Sequence, residues 1–233
     1  MTTIGDNLER VLRRIETACI AAGREPREVG LLAVSKSHSA EALAQALAAG
    51  QYAFGENYLQ EALNKMALLQ RQPIQWHCIG PVQSNKTRAV AEHFAWVHSV
   101  DRLRTAQRLS EQRPAHMADL QVCIQVNTDA GANKGGVMPQ EALALARQVA
   151  LLPRLKLRGL MSIPEPAQDF AAACTAHMKT KALFDVLRNH GLALDTLSMG
   201  MSDDLEAAIA SGSTLVRVGS AIFGARAPRP APA

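Results

Sequence analysis

Short apolar runs alternate with amphipathic segments along almost the whole chain. Residues 4–22 carry apolar side chains at helical spacing, whereas residues 31–35, Leu-Leu-Ala-Val-Ser, are apolar without a helical period and lie between Gly30 and a polar turn. The first pattern predicts a helix and the second a short buried strand. A second helix is expected to begin after Ser39 as N-cap and to end at Gly50.

The same alternation predicts eight strands in all. The other seven are expected at residues 52–55, 74–80, 96–100, 120–126, 155–163, 192–198 and 214–218. Helical patterns separate them, at residues 58–69, 85–94, 102–112, 140–151 and 167–189, and in a last helix capped by Ser202 that ends at Gly212.

Alternating strands and helices imply a parallel sheet with right-handed crossovers, and eight such units match a closed barrel. The predicted fold is α/β: a single (β/α)8 TIM barrel with an extra N-terminal helix, spanning residues 1–226. Residues 227–233 are rich in proline and alanine and are expected to form a disordered tail. An open doubly wound sheet is the alternative, but no GxGxxG motif follows the first strand.

Composition narrows the class of protein. The net charge is +4, but the basic residues are scattered and not interleaved with aromatic ones, which does not support nucleic-acid binding. The four cysteines form no CxxC pair and are expected to be buried thiols in a reducing compartment, and the histidines lack metal-ligand spacing. With no signal peptide and no apolar run of membrane-spanning length, the chain is expected to be soluble and cytoplasmic, with no membrane partner.

Lys36 is the first candidate for chemistry. It follows the first predicted strand and precedes the second helix, and in α/β folds ligands bind at that rim. A lysine amine partly withdrawn from water there can lose its proton and attack a carbonyl. The position also fits a solvated loop lysine, so the other strand ends decide between the two interpretations.

The segment after the seventh strand, residues 198–204, reads Ser-Met-Gly-Met-Ser-Asp-Asp. Gly200 permits a tight turn, and Ser202 is placed to cap the following helix. A glycine turn that leads into a helix N-terminus presents unpaired N–H groups, which suit a phosphate. The alternative is an ordinary helix start in which Asp203 and Asp204 only complement the helix dipole.

The segment after the eighth strand, residues 217–224, adds further polar groups. Gly219 and Ser220 offer a second pair of donors, and phosphate sites after strands seven and eight recur in this fold. An amine and a phosphate cradle together suggest a phosphorylated aldehyde held as a Schiff base, and pyridoxal 5′-phosphate (PLP) is the obvious candidate. Arg217 would then face the pyridine nitrogen and, because arginine keeps its proton, would leave that nitrogen unprotonated.

Two more polar residues lie at strand ends. Asn57 follows the second strand and His77 lies in the third. Each also has a structural interpretation, Asn57 as a helix cap and His77 as a hydrogen-bonded core histidine.

In combination these segments resemble the pyridoxal phosphate homeostasis protein family. The resemblance is carried, in order, by AVSK (33–36), FGEN (54–57), WHCIGPVQSNK (76–86), RGLM (158–161), SMGMSDD (198–204) and RVGSAIFG (217–224). That family has the barrel of the alanine racemase N-terminal domain, and its lysine holds PLP as a Schiff base. The resemblance implies that Lys36 is that lysine and that Arg217 faces the ring nitrogen. The expected cofactor-binding set is Lys36, Asn57, His77, Ser198, Gly200, Ser202, Arg217, Gly219 and Ser220, with Ser202, Gly219 and Ser220 at the phosphate.

Two departures from the family are small. Ser220 stands where threonine is common, which keeps the hydroxyl. Residues 133–136 read Asn-Lys-Gly-Gly where Ser-Lys-Ser-Gly is common, which keeps Lys134 without assigning it a role.

The resemblance leaves two functions open. One is a non-catalytic monomer that holds PLP, takes part in intracellular vitamin B6 homeostasis and passes the cofactor to apo-enzymes. The other is a racemase-like enzyme, which needs a base on each face of the cofactor. Related racemases supply the second base as a tyrosine, but the two tyrosines here, Tyr52 and Tyr58, both belong to the second βα unit. The carrier is therefore favoured, with no catalytic residue expected. A Schiff-base aldolase is a third possibility, against which the position of Lys36 on the first strand speaks.

Overall fold

Eight parallel strands close into a barrel in which each strand pairs with the next along the chain and the eighth pairs with the first. The computed structural model describes residues 3–129, 131 and 134–224, and the structural statements below concern those residues. The strands are β1 (Gly30–Val34), β2 (Ala53–Glu56), β3 (Gln75–Cys78), β4 (Trp96–Val100), β5 (Leu120–Gln125), β6 (Leu155–Met161), β7 (Thr196–Ser198) and β8 (Leu215–Val218). The predicted TIM barrel is confirmed, and the open sheet is ruled out.

Helices surround the barrel. They are α1 (Ile4–Ala21), α2 (Ala40–Ala48), α3 (Leu59–Leu68), α4 (Thr87–His93), α5 (Leu103–Gln112), α6 (Pro139–Ala150), α7 (Phe170–Asn189), α8 (Leu205–Ala210) and α9 (Ser220–Phe223). The extra helix α1 precedes β1 and packs against α2, α8 and α9. As predicted, Ser39 caps α2, since its hydroxyl accepts a hydrogen bond from the Ala42 amide.

The predicted cap at Ser202 is wrong. Helix α8 begins at Leu205 with Asp204 as N-cap, because the Asp204 carboxylate accepts a hydrogen bond from the Met201 amide at 2.6 Å and closes residues 201–204 into a turn. Other boundaries differ as well, including the end of β3, which lies at Cys78 and not at residue 80. The strand expected at 192–198 is only Thr196–Ser198, because residues 190 and 191 form a turn with Gly191 at a φ of 86°, and residues 192–195 have no regular structure. The short helix α9 was not predicted.

Polar side chains are buried together with the apolar core, among them His77, His98, Ser198 and Arg217. Apolar residues of the strands and helices form one large core, while Trp96, Cys123 and Met161 form a separate small cluster. Arg158 lies over the Trp96 ring, 4.8 Å from its centroid, and pairs with Asp195 at 2.7 Å.

Several expectations from composition meet the structure directly. Cys19, Cys78 and Cys123 are buried free thiols, whereas Cys174 is half-buried. No helix in the described part of the chain has the length and apolarity needed to cross a bilayer. The predicted tail, residues 227–233, lies outside the described residues, as does Asn133.

Candidate functional site

A cleft of about 240 Å³ opens at the carboxyl ends of the strands. It joins residues that follow β1, β2, β3, β6, β7 and β8, and six of the nine predicted cofactor-binding residues line it: Lys36, Asn57, Ser202, Arg217, Gly219 and Ser220. A larger cleft of about 440 Å³ lies between α1, α7 and α8, but it contains no lysine and no strand residue. The smaller cleft is the better candidate because an amine, two hydroxyls and a guanidinium converge on it.

The hydroxyls of Ser202 and Ser220 meet at one end of the cleft. The Ser220 hydroxyl donates to that of Ser202 at 3.2 Å, and Gly219 directly precedes helix α9. A Cβ atom at Gly219 would lie 3.1 Å from the Val34 carbonyl oxygen, so the absence of a side chain lets the start of α9 approach β1. The two serines and the glycine between β8 and α9 thus form the polar end that the sequence predicted.

Gly200 supports this end without lining the cleft. Its φ of +93° lies in the left-handed region, and an added Cβ would come within 2.5 Å of the Ala208 Cβ. Its carbonyl accepts a hydrogen bond from the Arg217 amide at 2.9 Å. The glycine is required by the turn and by its packing against α8.

The two acids beside Ser202 have different roles. The Asp204 carboxylate binds the Met201 amide and His177 Nε2, at 2.6 and 3.0 Å. Burial alone would raise the pKa of Asp204, but the hydrogen bonds from His177 and from the Met201 amide outweigh it, and the pKa is lowered. Asp204 therefore shapes the loop as an ionised group. Asp203 lines the cleft from an exposed position, where its carboxylate can turn to solvent.

Arg217 is held rigidly in the barrel wall. It is 4% exposed and donates to the Ser198 carbonyl at 2.5 Å, to the Ser198 hydroxyl at 2.9 Å and to the Ser162 carbonyl at 2.9 Å. Burial lowers the pKa of Arg217 to about 10, which leaves it charged at neutral pH. The guanidinium therefore presents fixed donors to the cleft.

Ser198 and His77 lie one layer deeper and do not line the cleft. His77 Nδ1 is 2.9 Å from His98 Nε2, and His98 Nδ1 is 2.8 Å from the Ser198 hydroxyl. Burial lowers the pKa of His77 to about 3. The pKa of His98 lies well below its ordinary value, mainly through burial and also through the nearby His77 and Arg217. Both rings are therefore neutral at physiological pH, and His77 occupies the position of a hydrogen-bonded core histidine.

One set of tautomers satisfies this chain. Because the Ser198 hydroxyl accepts from Arg217, its own proton goes to His98 Nδ1, His98 Nε2–H donates to His77 Nδ1, and His77 Nε2–H donates to Gln75 Oε1, 3.0 Å away. The chain supports Arg217 from below and has no spare proton to exchange with the cleft.

A buried ionic cluster beside Lys36 was missed by the sequence reasoning. Lys65, on α3, donates to the Ser35 carbonyl at 2.8 Å, to Glu56 at 2.7 Å and to Glu61 at 2.5 Å. The Ser35 hydroxyl also donates to Glu56, at 2.6 Å. The only sequence signal was the i,i+4 spacing of Glu61 and Lys65, which does not say what the helix faces.

This cluster holds both neighbours of Lys36. Glu56 and Lys65 bind Ser35 on one side, and on the other the Glu61 carboxylate accepts from the Ser37 amide at 2.6 Å. Ser37 has a φ of +65°, an uncommon conformation for a residue other than glycine. The backbone that carries Lys36 is thus fixed in a strained turn by contacts outside the cleft.

Lys134, whose role the sequence left open, lies in a different ionic group. Its ammonium binds Asp129 at 3.2 Å, Glu165 at 2.9 Å and the Ile163 carbonyl at 3.1 Å. These contacts tie the segment after β5 to the segment after β6.

Comparisons with known proteins agree with the geometry. The family described as alanine racemase, N-terminal domain, matches residues 6–227. The pyridoxal phosphate homeostasis protein of Pseudomonas aeruginosa is 58% identical over 226 residues, which cover 97% of this chain and 97% of that protein.

Solved structures extend the likeness. PipY of Synechococcus elongatus, in a structure with PLP bound, is 35% identical with a TM-score of 0.84, covering 95% of this chain and 100% of PipY. Alanine racemase of Corynebacterium glutamicum is 19% identical with a TM-score of 0.68, and the match covers 92% of this chain but 60% of the racemase. The second likeness concerns the fold alone.

Proposed function

The chain belongs to the pyridoxal phosphate homeostasis protein family, and we propose that it binds PLP as a Schiff base on Lys36 and contributes to intracellular PLP homeostasis without catalysing a reaction. The PLP-bound structure of the similar PipY supports cofactor binding. We further propose that the protein acts in the cytoplasm as a monomer and passes PLP to apo-enzymes.

One observation carries the proposal: a single cleft brings Lys36 together with the Ser202 and Ser220 hydroxyls and Arg217. A lysine amine condenses with an aldehyde to an imine and releases water. Paired hydroxyls beside a helix start suit a phosphate dianion, and a fixed guanidinium suits a ring nitrogen that carries no proton. PLP has all three groups.

The residues present fit this cofactor. A side chain at Gly219 would crowd the Val34 carbonyl, and the glycine leaves backbone and hydroxyl groups to face a ligand at this end of the cleft. The Asn57 side chain also lines the cleft. Lys36 would hold the aldehyde carbon, Ser202, Gly219 and Ser220 the phosphate, and Arg217 the ring nitrogen. When bound, the cofactor supplies an electrophilic aldehyde.

Two features favour a carrier over a racemase. Arg217 keeps its charge and is tied to Ser162 and Ser198, so it cannot protonate the ring nitrogen, and PLP in this state is a weak electron sink. Within the described residues, the cleft lining contains no tyrosine, histidine or cysteine, and Asp203 is its only acid. Tyr58 lines a separate cleft. A second base opposite Lys36 is therefore not evident.

The first test is spectroscopic. The purified protein is expected to absorb in the visible Schiff-base band, and Lys36→Ala should abolish that band because no amine remains to condense with the aldehyde. Lys156→Ala, which removes an exposed lysine on β6, is the matched control and should keep it. A colourless wild-type protein that PLP cannot reconstitute would refute cofactor binding.

A transfer experiment tests the carrier role. PLP-loaded protein is mixed with an apo-enzyme while a trap removes free PLP, and activation of the apo-enzyme despite the trap is expected. Amino-acid racemisation that Lys36→Ala abolishes would overturn the carrier proposal in favour of an enzyme.

A further inference from the structure

A second cleft, of about 310 Å³, lies between the start of α3 and the segment that joins β3 to α4. Apolar side chains such as Leu59, Val82 and Val90 form its walls, and Glu56 and Asn57 line it as well. The segment 80–86, which stood out in the sequence, borders this cleft, and its residues do not line the Lys36 cleft. The segment therefore calls for an explanation other than the cofactor site.

Glu56, which lines this cleft, has an unsatisfied carboxylate oxygen. The residue is 1% exposed, and its Oε1 accepts from both Ser35 and Lys65. Its Oε2 is buried without a partner among the described residues, as is Asn57 Oδ1. All three protons of Lys65 are already used, so the cluster has no donor left for Oε2.

The same cluster also lacks one positive charge. Two carboxylates, Glu56 and Glu61, share the single ammonium of Lys65. Buried charge is unfavourable unless it is paired and hydrogen-bonded. A ligand with an N–H donor and a positive charge would supply both missing features at once.

We propose that this second cleft binds a small molecule that carries an ammonium group on a short apolar chain, with the ammonium directed to Glu56 and Asn57. The apolar walls take the chain. Lys86 lines the cleft from an exposed position and favours a ligand that also carries a carboxylate. The ligand class is therefore a free amine or an α-amino acid, with the amino acid bound more tightly.

The site differs from the proposed cofactor site, and its existence does not depend on PLP. Asn57 lines both clefts, and Glu56 binds Ser35, the residue before Lys36. A ligand in the second cleft would therefore affect Lys36 through these two residues. That consequence rests on the proposed function, whereas ligand binding does not.

The test uses the full chain with Lys36→Ala, dialysed free of PLP, so that amines meet no aldehyde. n-Butylamine, n-butanol and L-norvaline are titrated while amide shifts are followed by NMR. We expect n-butylamine to shift residues 56–60 and 80–86 with a Kd of about 1 mM, L-norvaline to bind several-fold more tightly, and n-butanol to bind at least about tenfold more weakly. Equal binding of n-butanol, or no binding of either amine, would overturn the proposal.

Variants locate the binding. Glu56→Gln should weaken n-butylamine at least about tenfold, since it removes the charge that the ammonium meets. Because that change also disturbs Lys65, Val82→Trp, which fills the cleft, provides a second variant, and Val186→Trp on the exposed face of α7 is its control. Binding that survives Val82→Trp would refute the location. A colourless wild-type protein would refute the proposed function but leave these titrations unaffected.

Discussion

Replacing Lys65 by methionine tests whether the buried cluster fixes the loop that carries Lys36. The buried ammonium lies between one buried and one partly exposed carboxylate: the Lys65 side chain is 6% exposed, that of Glu56 0% and that of Glu61 29%. Removing one partner of a buried ion pair typically costs 3–5 kcal/mol, because the other charge stays buried and unpaired. Glu56 accounts for most of this loss, since the partly exposed Glu61 is screened by water. We expect Lys65→Met to lower the free energy of unfolding by about 3–5 kcal/mol in urea denaturation at neutral pH.

The double variant Glu56→Gln/Lys65→Met tests whether the loss in Lys65→Met comes from an unpaired buried charge. Removing both charges leaves no buried unpaired ion, so the double variant should be more stable than Lys65→Met alone. The loss in Lys65→Met should also shrink at acid pH, because burial already raises the pKa of Glu56 and a protonated carboxyl needs no cation. Arg13→Met breaks an exposed pair, 66% and 64% accessible, and should cost less than about 0.5 kcal/mol. A loss below about 1 kcal/mol in Lys65→Met, or a double variant less stable than the single one, would refute the account.

Three further predictions concern the site and its support. Ser202→Ala and Ser220→Ala should each lower the affinity for PLP about tenfold in a titration followed by visible absorbance, because a hydrogen bond to a charged group contributes about 1.5–3 kcal/mol. The affinity for pyridoxal, which has no phosphate, should not change. An equal loss of affinity for pyridoxal would contradict the phosphate assignment. Gly200→Ala should destabilise the protein by about 1–3 kcal/mol more than Gly50→Ala does. Both glycines have φ near +92°, but only at Gly200 would an added Cβ meet a neighbouring atom, at 2.5 Å. Equal losses of stability in thermal unfolding would show that this steric contact contributes nothing. Burial depresses the pKa of His77 to about 3, so the unfolded chain binds more protons than the folded one between pH 3 and 6.5. The free energy of unfolding should therefore rise with pH across that window, with a contribution from His77 of up to about 5 kcal/mol. An unchanged pH slope in His77→Gln would contradict this.

The sequence was sufficient to place the residues that meet in the cleft. Lys36 and Gly219 each follow directly on a predicted strand, and Ser202 lies in the loop that follows another, four residues after its end. In a closed parallel barrel all strands end at the same rim. The alternation of short apolar runs with amphipathic segments therefore predicted that positions more than 160 residues apart in the chain lie at the same rim. No knowledge of side-chain direction was needed for this step.

Depth within the barrel could not be predicted in the same way. Residues two apart on a strand share a face, so His77 lies on the same face as Ile79 but one layer lower, and Ile79, not His77, lines the cleft. Which residue reaches the rim depends on where β3 stops, and the predicted strand 74–80 extended past the observed end at Cys78. His77 was assigned to the cleft because it is polar and close to a strand end, and the hydrophobic pattern does not give the depth of a residue within the barrel.

The Lys65 cluster could not be predicted from the sequence for a different reason. A helical pattern over 58–69 predicts α3 but not its rotation about its own axis, and that rotation turns the ammonium of Lys65 toward Ser35 instead of toward water. Lysine is almost never fully buried unless paired, so the default expectation was a solvated side chain. Only the assembled barrel shows that the Ser35 carbonyl, the Glu56 carboxylate on β2 and the Glu61 carboxylate on α3 all bind the same ammonium.

The two supports of the cleft bear on the choice between carrier and enzyme. From below, Arg217 rests on a chain of neutral histidines whose hydrogen bonds are all used, so neither His77 nor His98 has a lone pair or proton to offer a substrate. From the side, the Lys65 cluster holds Ser35 and Ser37, and its groups contact the backbone around Lys36 and not the cleft. Both ionisable networks position the residues that would hold PLP, and neither brings a second base to the opposite face. Within the described residues, the cleft lining supplies one amine and a fixed guanidinium and contains no tyrosine, histidine or cysteine. This combination supports the proposed reversible attachment of an aldehyde more than it supports proton transfer at a substrate carbon.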